Sequence, residues 1–136
     1  MVAEVNLIQK LKFDNLGDSR GHLVSLEALK NIPFEIKRVY YLVGTHPGES
    51  RGFHAHRELK QVLICLAGQC RIVLDDGQNK SETILNSFNE GILIESMIWR
   101  EMHDFSADCV LLVIANQHYS ESDYIRNYDD FKRLYK

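Results

Sequence analysis

Residues 52–68 read GFHAHRELKQVLICLAG. His54 and His56 stand one residue apart, behind Arg51 and Gly52 and ahead of the apolar run VLICLA that ends on Gly68. In extended backbone alternate side chains share a face, so the two imidazoles point together to one side of a sheet. Gln61 to Gly68 reads as a strand closed by a hairpin glycine, and CRIVLDDG (70–77) as its return. On these residues alone the histidine pair is open to three readings: metal ligands, an acid–base pair, or polar groups satisfied within a strand.

Working outward, the same texture continues. KRVYYLVG (37–44), EGILIES (90–96) and DCVLLVIAN (108–116) are short, rich in Val, Ile, Leu and Tyr, and bounded by turn residues. RGHLVSLEA (20–28) is predicted as another strand and LIQKLKF (7–13) as one more. Only SESDYIRNYDDFKRLYK (120–136) reads as helical, with Ile125, Tyr128, Phe131 and Leu134 recurring about every three positions and Ser122 as a candidate cap. Many short strands with tight turns predict an all-β sandwich or barrel carrying a short C-terminal helix. There is no internal repeat, low-complexity tract or linker, so residues 1–136 are read as a single domain.

Composition limits the function classes. The net charge of −3 offers no polycation to nucleic acid. The longest apolar run, CVLLVIA (109–115), is strand length, and the first residues lack a signal peptide's pattern, so no membrane partner is expected. Cys65, Cys70 and Cys109 are odd in number and lack C-x-x-C spacing, which favours a reduced, cytoplasmic protein.

The pattern G-x-H-x-H, four residues, Gln61, six residues, Gly68 resembles the first motif of the cupin jelly rolls. Metal-binding cupins carry Glu where this chain has Gln61, and a third histidine about where ESMIWREMHDF (95–105) places Arg100. An amide and a guanidinium are poor ligands for a divalent ion, and a metal-dependent cupin is disfavoured. His103, three residues on, would face the other side of a regular strand.

A closer resemblance covers about Ser19 to Phe131: R-G-x-H-A-H, then WREMHDF (99–105) and YSESDYIRNYDDF (119–131) are similar to the sugar nucleotide 3,4-ketoisomerases. That resemblance implies a cupin-type jelly-roll isomerase needing no cofactor or metal. It would convert dTDP-4-keto-6-deoxyglucose to a 3-keto isomer for 3-amino-3,6-dideoxy sugars of lipopolysaccharide or other surface glycans. It also implies a homodimer that exchanges N-terminal strands. Chemically, His56 and His54 can move the protons, with His56 favoured at C3 because it lies further into the barrel. Arg100 or Tyr40 can hold the oxyanion, Arg51 grip the diphosphate, and Trp99 cover a sugar or thymine face. Gln61 completes the expected substrate contacts. By resemblance, Arg100 together with His22 goes with the gluco product. The rival readings are a dTDP-4-keto-sugar 3,5-epimerase and a non-catalytic sugar-binding cupin.

Overall fold

A computed structural model describes residues 5–134. In chain order the strands are β1 (Gln9–Lys12), β2 (Arg38–Leu42), β3 (Arg51–His56), β4 (Gln61–Ala67), β5 (Cys70–Asp75), β6 (Lys80–Leu85), β7 (Glu90–Ile94), β8 (Trp99–His103), β9 (Val110–Ala115) and β10 (Tyr124–Ile125), followed by α1 (Tyr128–Leu134). They form two antiparallel sheets, ordered β1-β7-β4-β9-β2 and β10-β3-β8-β5-β6, as a jelly-roll barrel requires. Most neighbours are distant in sequence, so the side-chain pattern of each strand has to fix its register.

Three apolar layers follow from that alternation. Between the sheets lie Leu63, Ile72, Leu74, Ile92, Ile94, Met102, Leu111 and Val113. The outer face of the first sheet presents Val62, Ile64 and Ile114, and the chain from Phe13 to Ile36 covers them with Phe13, Val24, Leu26, Ile32 and Phe34. The outer face of the second sheet presents Ala55, Trp99 and Ile125, which α1 covers with Phe131. Strands buried on both faces explain why β4 and β9 read as nearly unbroken apolar runs.

Several expectations need correcting. Residues 20–28 are not a strand; they make only isolated bridges, Asp18 to Gly21 and Ala28 to Ile32. Their apolar residues are there to cover the first sheet, and side chains tie the path. Asn15 Oδ1 accepts from the amides of Gly17 and Leu23, and Asn31 Oδ1 from that of Glu27. β6 was unforeseen because its alternating exposed residues, KSETIL, follow a polar turn and lack an apolar run. The helix is confined to Tyr128–Leu134, where Asn127 Oδ1 accepts the amide of Asp130 at 3.0 Å and so caps the start. Ser122 instead falls in a single 3-10 turn, Glu121–Asp123.

Candidate active site

The site begins with an irregularity in β3. Gly52 lies opposite Glu101 and His54 opposite Arg100, so Phe53 is an extra residue, with φ of 58°. Such a bulge re-aims the strand beyond it. Gly52 has φ of 90°, and a Cβ there would stand 3.0 Å from the carbonyl oxygen of Arg100. Glycine therefore permits the close approach that sets His54 against Arg100.

After the bulge His54 and His56 do face one way, with ring centroids 4.9 Å apart. They are not equivalent. His54 lines a cavity of about 330 Å³ with Arg38, Tyr40, Leu42, Arg51, Gly52, Met102, Tyr124 and Arg126. His56 sits behind that wall, 1% exposed. Its Nδ1 lies 3.0 Å from Asp123 Oδ2. A carboxylate only accepts, so Nδ1 carries the proton and Nε2 keeps its lone pair. Asp123 is itself held by the amides of Glu58 and Leu59. The Nε2 of His56 is buried without a hydrogen-bond partner.

Arg100 is the third inward group. It is fully buried, with Nη1 donating to Gln61 Oε1 at 2.6 Å and Nη2 to the carbonyl of Ile98 at 2.8 Å. Gln61 in turn donates to the Tyr40 hydroxyl at 3.2 Å, so Arg100, Gln61 and Tyr40 bridge the two facing sheets. Burial lowers the Arg100 guanidinium to about 10, which leaves it charged at neutral pH. Burial, then that charge, hold His54 down to about 4 and His56 to about 3. Both imidazoles are thus neutral bases near pH 7. Burial raises the Tyr40 phenol, which keeps its proton.

The expected residues separate into two groups. His54, His56, Arg100, Gln61, Tyr40 and Arg51 converge, though Gln61 acts as a bridge behind the wall and His54, not His56, is on the wall itself. Trp99 and His22 do not join them. Trp99 alternates with Arg100 to the outer face of β8, where Tyr128 and Phe131 bury it and its Nε1 donates to Glu101 Oε2 at 3.0 Å. A ring covered by α1 cannot cover a sugar. His103 also lies on that outer face, paired with Glu101. His22 stacks on Phe88 at 4.8 Å and its Nδ1 lies 2.8 Å from Asn15 Nδ2, outside the cavity of this chain.

Four cavity or supporting residues were missed. Asp123 and Tyr124 lay within an expected helix, whereas Tyr124 pairs with His56 across β10 and β3. Arg38 has its guanidinium over Tyr40 at 4.6 Å and Nη1 buried without a partner. Arg126 stacks over Tyr124 at 4.2 Å. A larger hollow of about 530 Å³, between Val5–Asn6 and Lys80–Glu82, has no histidine in its lining and no part in this constellation.

A family model described as FdtA: WxcM-like, C-terminal matches residues 6–136. The chain belongs to the sugar nucleotide 3,4-ketoisomerase family. It is 54% identical over 123 residues to the TDP-4-oxo-6-deoxy-alpha-D-glucose-3,4-oxoisomerase of Aneurinibacillus thermoaerophilus, covering 90% of this chain and 88% of that one. A 3,4-ketoisomerase from Helicobacter canadensis is 50% identical with a TM-score of 0.93, covering 96% of this chain and 98% of that one. The ketoisomerase QdtA of Thermoanaerobacterium thermosaccharolyticum, solved as a variant in complex with TDP-4-keto-6-deoxyglucose, is 42% identical with a TM-score of 0.92, covering 96% and 94%. A 3'-monoepimerase from Streptomyces bikiniensis shares the fold alone, at 15% identity and a TM-score of 0.75 over 87% of this chain and 68% of that one.

Proposed function

We propose that this isomerase of the 3,4-ketoisomerase family converts dTDP-4-keto-6-deoxy-D-glucose to dTDP-3-keto-6-deoxy-D-glucose. The single observation that carries the mechanism is that His54 and Tyr40 line one cavity from opposite sheets. His54 takes the proton from C3, leaving an enediolate with its negative charge on the C4 oxygen. His56, fixed by Asp123, accepts the proton of the C3 hydroxyl at its free Nε2 and passes it to the C4 oxygen. Tyr40 then donates its proton to C4 as the C3 ketone forms, and the His54 imidazolium returns a proton to the phenolate through solvent, so no net proton is gained or lost. Arg100, behind both histidines, stabilises the negative charge that develops on oxygen.

This assignment exchanges the expected order of the two histidines, because the Asp123 clamp draws His56 back from the cavity. It also bears on the product. In the gluco series the hydrogens on C3 and C4 lie on opposite ring faces, and His54 and Tyr40 belong to opposite sheets. A sugar held between them would receive its C4 proton on the face away from His54. Arg51, Arg38 and Arg126 at the cavity suit a diphosphate, since a planar guanidinium can hold two phosphate oxygens.

A divalent metal does not fit this centre: the position of a third ligand is taken by the charged Arg100, and Gln61 is committed to it. We place the enzyme in the cytoplasm, consistent with three unpaired cysteines, supplying 3-amino-3,6-dideoxy sugars of surface glycans. No helix among the described residues is long and apolar enough to cross a membrane. We further propose a homodimer. Val39 and Tyr41 are exposed along the edge strand β2, and Val43 just beyond it, as an interface between copies would use. Part of the segment proposed to exchange, residues 1–4, lies outside the described residues. Gln9–Lys12 pairs with β7 of its own chain, so exchange would substitute the partner's strand in that place.

The deciding experiment is incubation with dTDP-4-keto-6-deoxyglucose in deuterated water, followed by NMR. A C3 ketone with deuterium at C4 and a large H5 splitting in the protonated control supports gluco ketoisomerisation. Deuterium at C5 with a retained C4 ketone would mean epimerisation, and an unchanged sugar a non-catalytic binder. Tyr40→Phe should still exchange the C3 hydrogen yet form the 3-ketone far more slowly. If it isomerises normally, the C4 donor is another group.

A further inference from the structure

The three cysteines play no part in the site just described, and the fold gathers them. Cys65 lies in β4, Cys70 opens β5, and Cys109 immediately precedes β9. Their sulfurs all lie within 4.8 Å of one another, with Cys65 and Cys109 only 3.6 Å apart. Sulfurs bound to one tetrahedral zinc at about 2.3 Å would be spaced at about 3.8 Å, so little movement separates this cluster from a ligand set. The surroundings are apolar: Leu63, Ile72, Leu85, Phe105 and Leu111 belong to the same core. Among the described residues no histidine or carboxylate joins the three as a fourth ligand.

We propose that Cys65, Cys70 and Cys109 form a three-thiol binding site for a trivalent thiophilic metalloid, for which arsenite is the probe. Charge and coordination number both select that class. Three thiolates around zinc would bury a net charge of −1, and around a monovalent soft metal −2, in a core with no counter-ion among its described neighbours. Zinc also seeks a fourth ligand that the cluster lacks. A trivalent centre with three thiolates is neutral and complete. The reaction is a condensation without redox change: arsenous acid, As(OH)3, exchanges three hydroxyls for three sulfurs, and the three thiol protons leave with them as three waters.

Entry must be slow, because each thiol is about 1% exposed. It requires opening of the hairpin at Gly68, whose neighbour Gln69 is tied through its amide to Ser106 Oγ at 2.9 Å.

The test is to incubate the reduced protein with arsenite, remove the excess, and weigh the native chain. A gain of one arsenic less three hydrogens is expected. X-ray absorption of the product should show three sulfur neighbours and no oxygen. Each of Cys65→Ala, Cys70→Ala and Cys109→Ala should release arsenic on the order of a hundredfold faster, because the third attachment is lost. No retained arsenic, an oxygen in the arsenic shell, or variants that hold arsenic like the unaltered chain would overturn the site. Preferential retention of zinc in direct competition would overturn the charge argument. Should a variant fail to fold, the absorption spectrum of the unaltered protein still decides.

Discussion

Along β4 the inward side chains run Gln61, Leu63, Cys65, and the ends of that row differ in how each admits groups other than hydrocarbon into a barrel. At the Gln61 end polar atoms are directional and partnered: Arg100 is held by Gln61 and Ile98, His56 by Asp123, and Asp123 by two amides. Three nitrogens, Nε2 of His56, Nε of Arg100 and Nη1 of Arg38, are left over. At the Cys65 end, four residues or about 13 Å further along the strand, the sulfurs are small, weakly polar and need no partner. The first end is built to move protons and the second tolerates neutrality. The difference shows that burial alone does not mark a site; an unpartnered hard donor or acceptor does.

The sharpest way to break this contrast is at the histidines. His54→Asn should abolish turnover, a loss on the order of a hundred- to ten-thousand-fold, with the melting temperature near that of the parent. His56→Asn should fall strongly but less, since His56 is behind the wall. Equal rates to the parent in both variants would remove the mechanism. Next, Asp123→Asn should lower kcat by about a hundredfold while KM changes little, because the His56 tautomer is no longer fixed. A rise in KM alone would make Asp123 a binding residue instead. Arg51→Lys comes third: KM should rise about tenfold with kcat nearly kept, as charge survives and the fork is lost. A fall in kcat alone would move Arg51 to the reacting centre.

Acid should separate the two ends as well. Both histidines titrate lower in the folded chain, at about 4 and about 3, than the 6.5 of an unfolded one. Between those values the unfolded chain binds more protons, so their effect is to reduce stability as pH falls below about 6.5, with none lost above it. Urea midpoints measured from pH 7 to 4 should fall, less steeply in His54→Asn; parallel slopes would refute the buried neutral imidazole. The smallest effect is expected from chelator: turnover should be unchanged after metal removal, and loss restored by a divalent ion would overturn the reading of Arg100.

The sequence revealed more of the site than of the chain's outer layers. The H-x-H spacing, Gln61 and Arg100 were legible because alternation along a strand and the absence of a carboxylate are local facts. Trp99 was misassigned for a related reason: its neighbour Arg100 faces inward, so Trp99 must face out, and only α1 shows what covers it there. Residues 20–28 misled because the apolar residues of a covering segment resemble those of a strand. Asp123 and Tyr124 carried no signal at all. Their role depends on β10 pairing with β3, a contact between residues far apart in the chain.

That last contact also sets a timetable. His56 and Asp123 are separated by 67 positions, and Asp123 closes both the imidazole and the turn at Glu58 and Leu59. During synthesis the histidines leave the ribosome long before their carboxylate exists, and a contact of such sequence span forms late in folding. The growing chain therefore carries a His56 whose tautomer nothing yet fixes and a cavity that still lacks Tyr124 from its wall. Isomerase activity can begin only when almost the whole chain has emerged and closed, which makes its onset in a refolding experiment a clock for the final strand pairing.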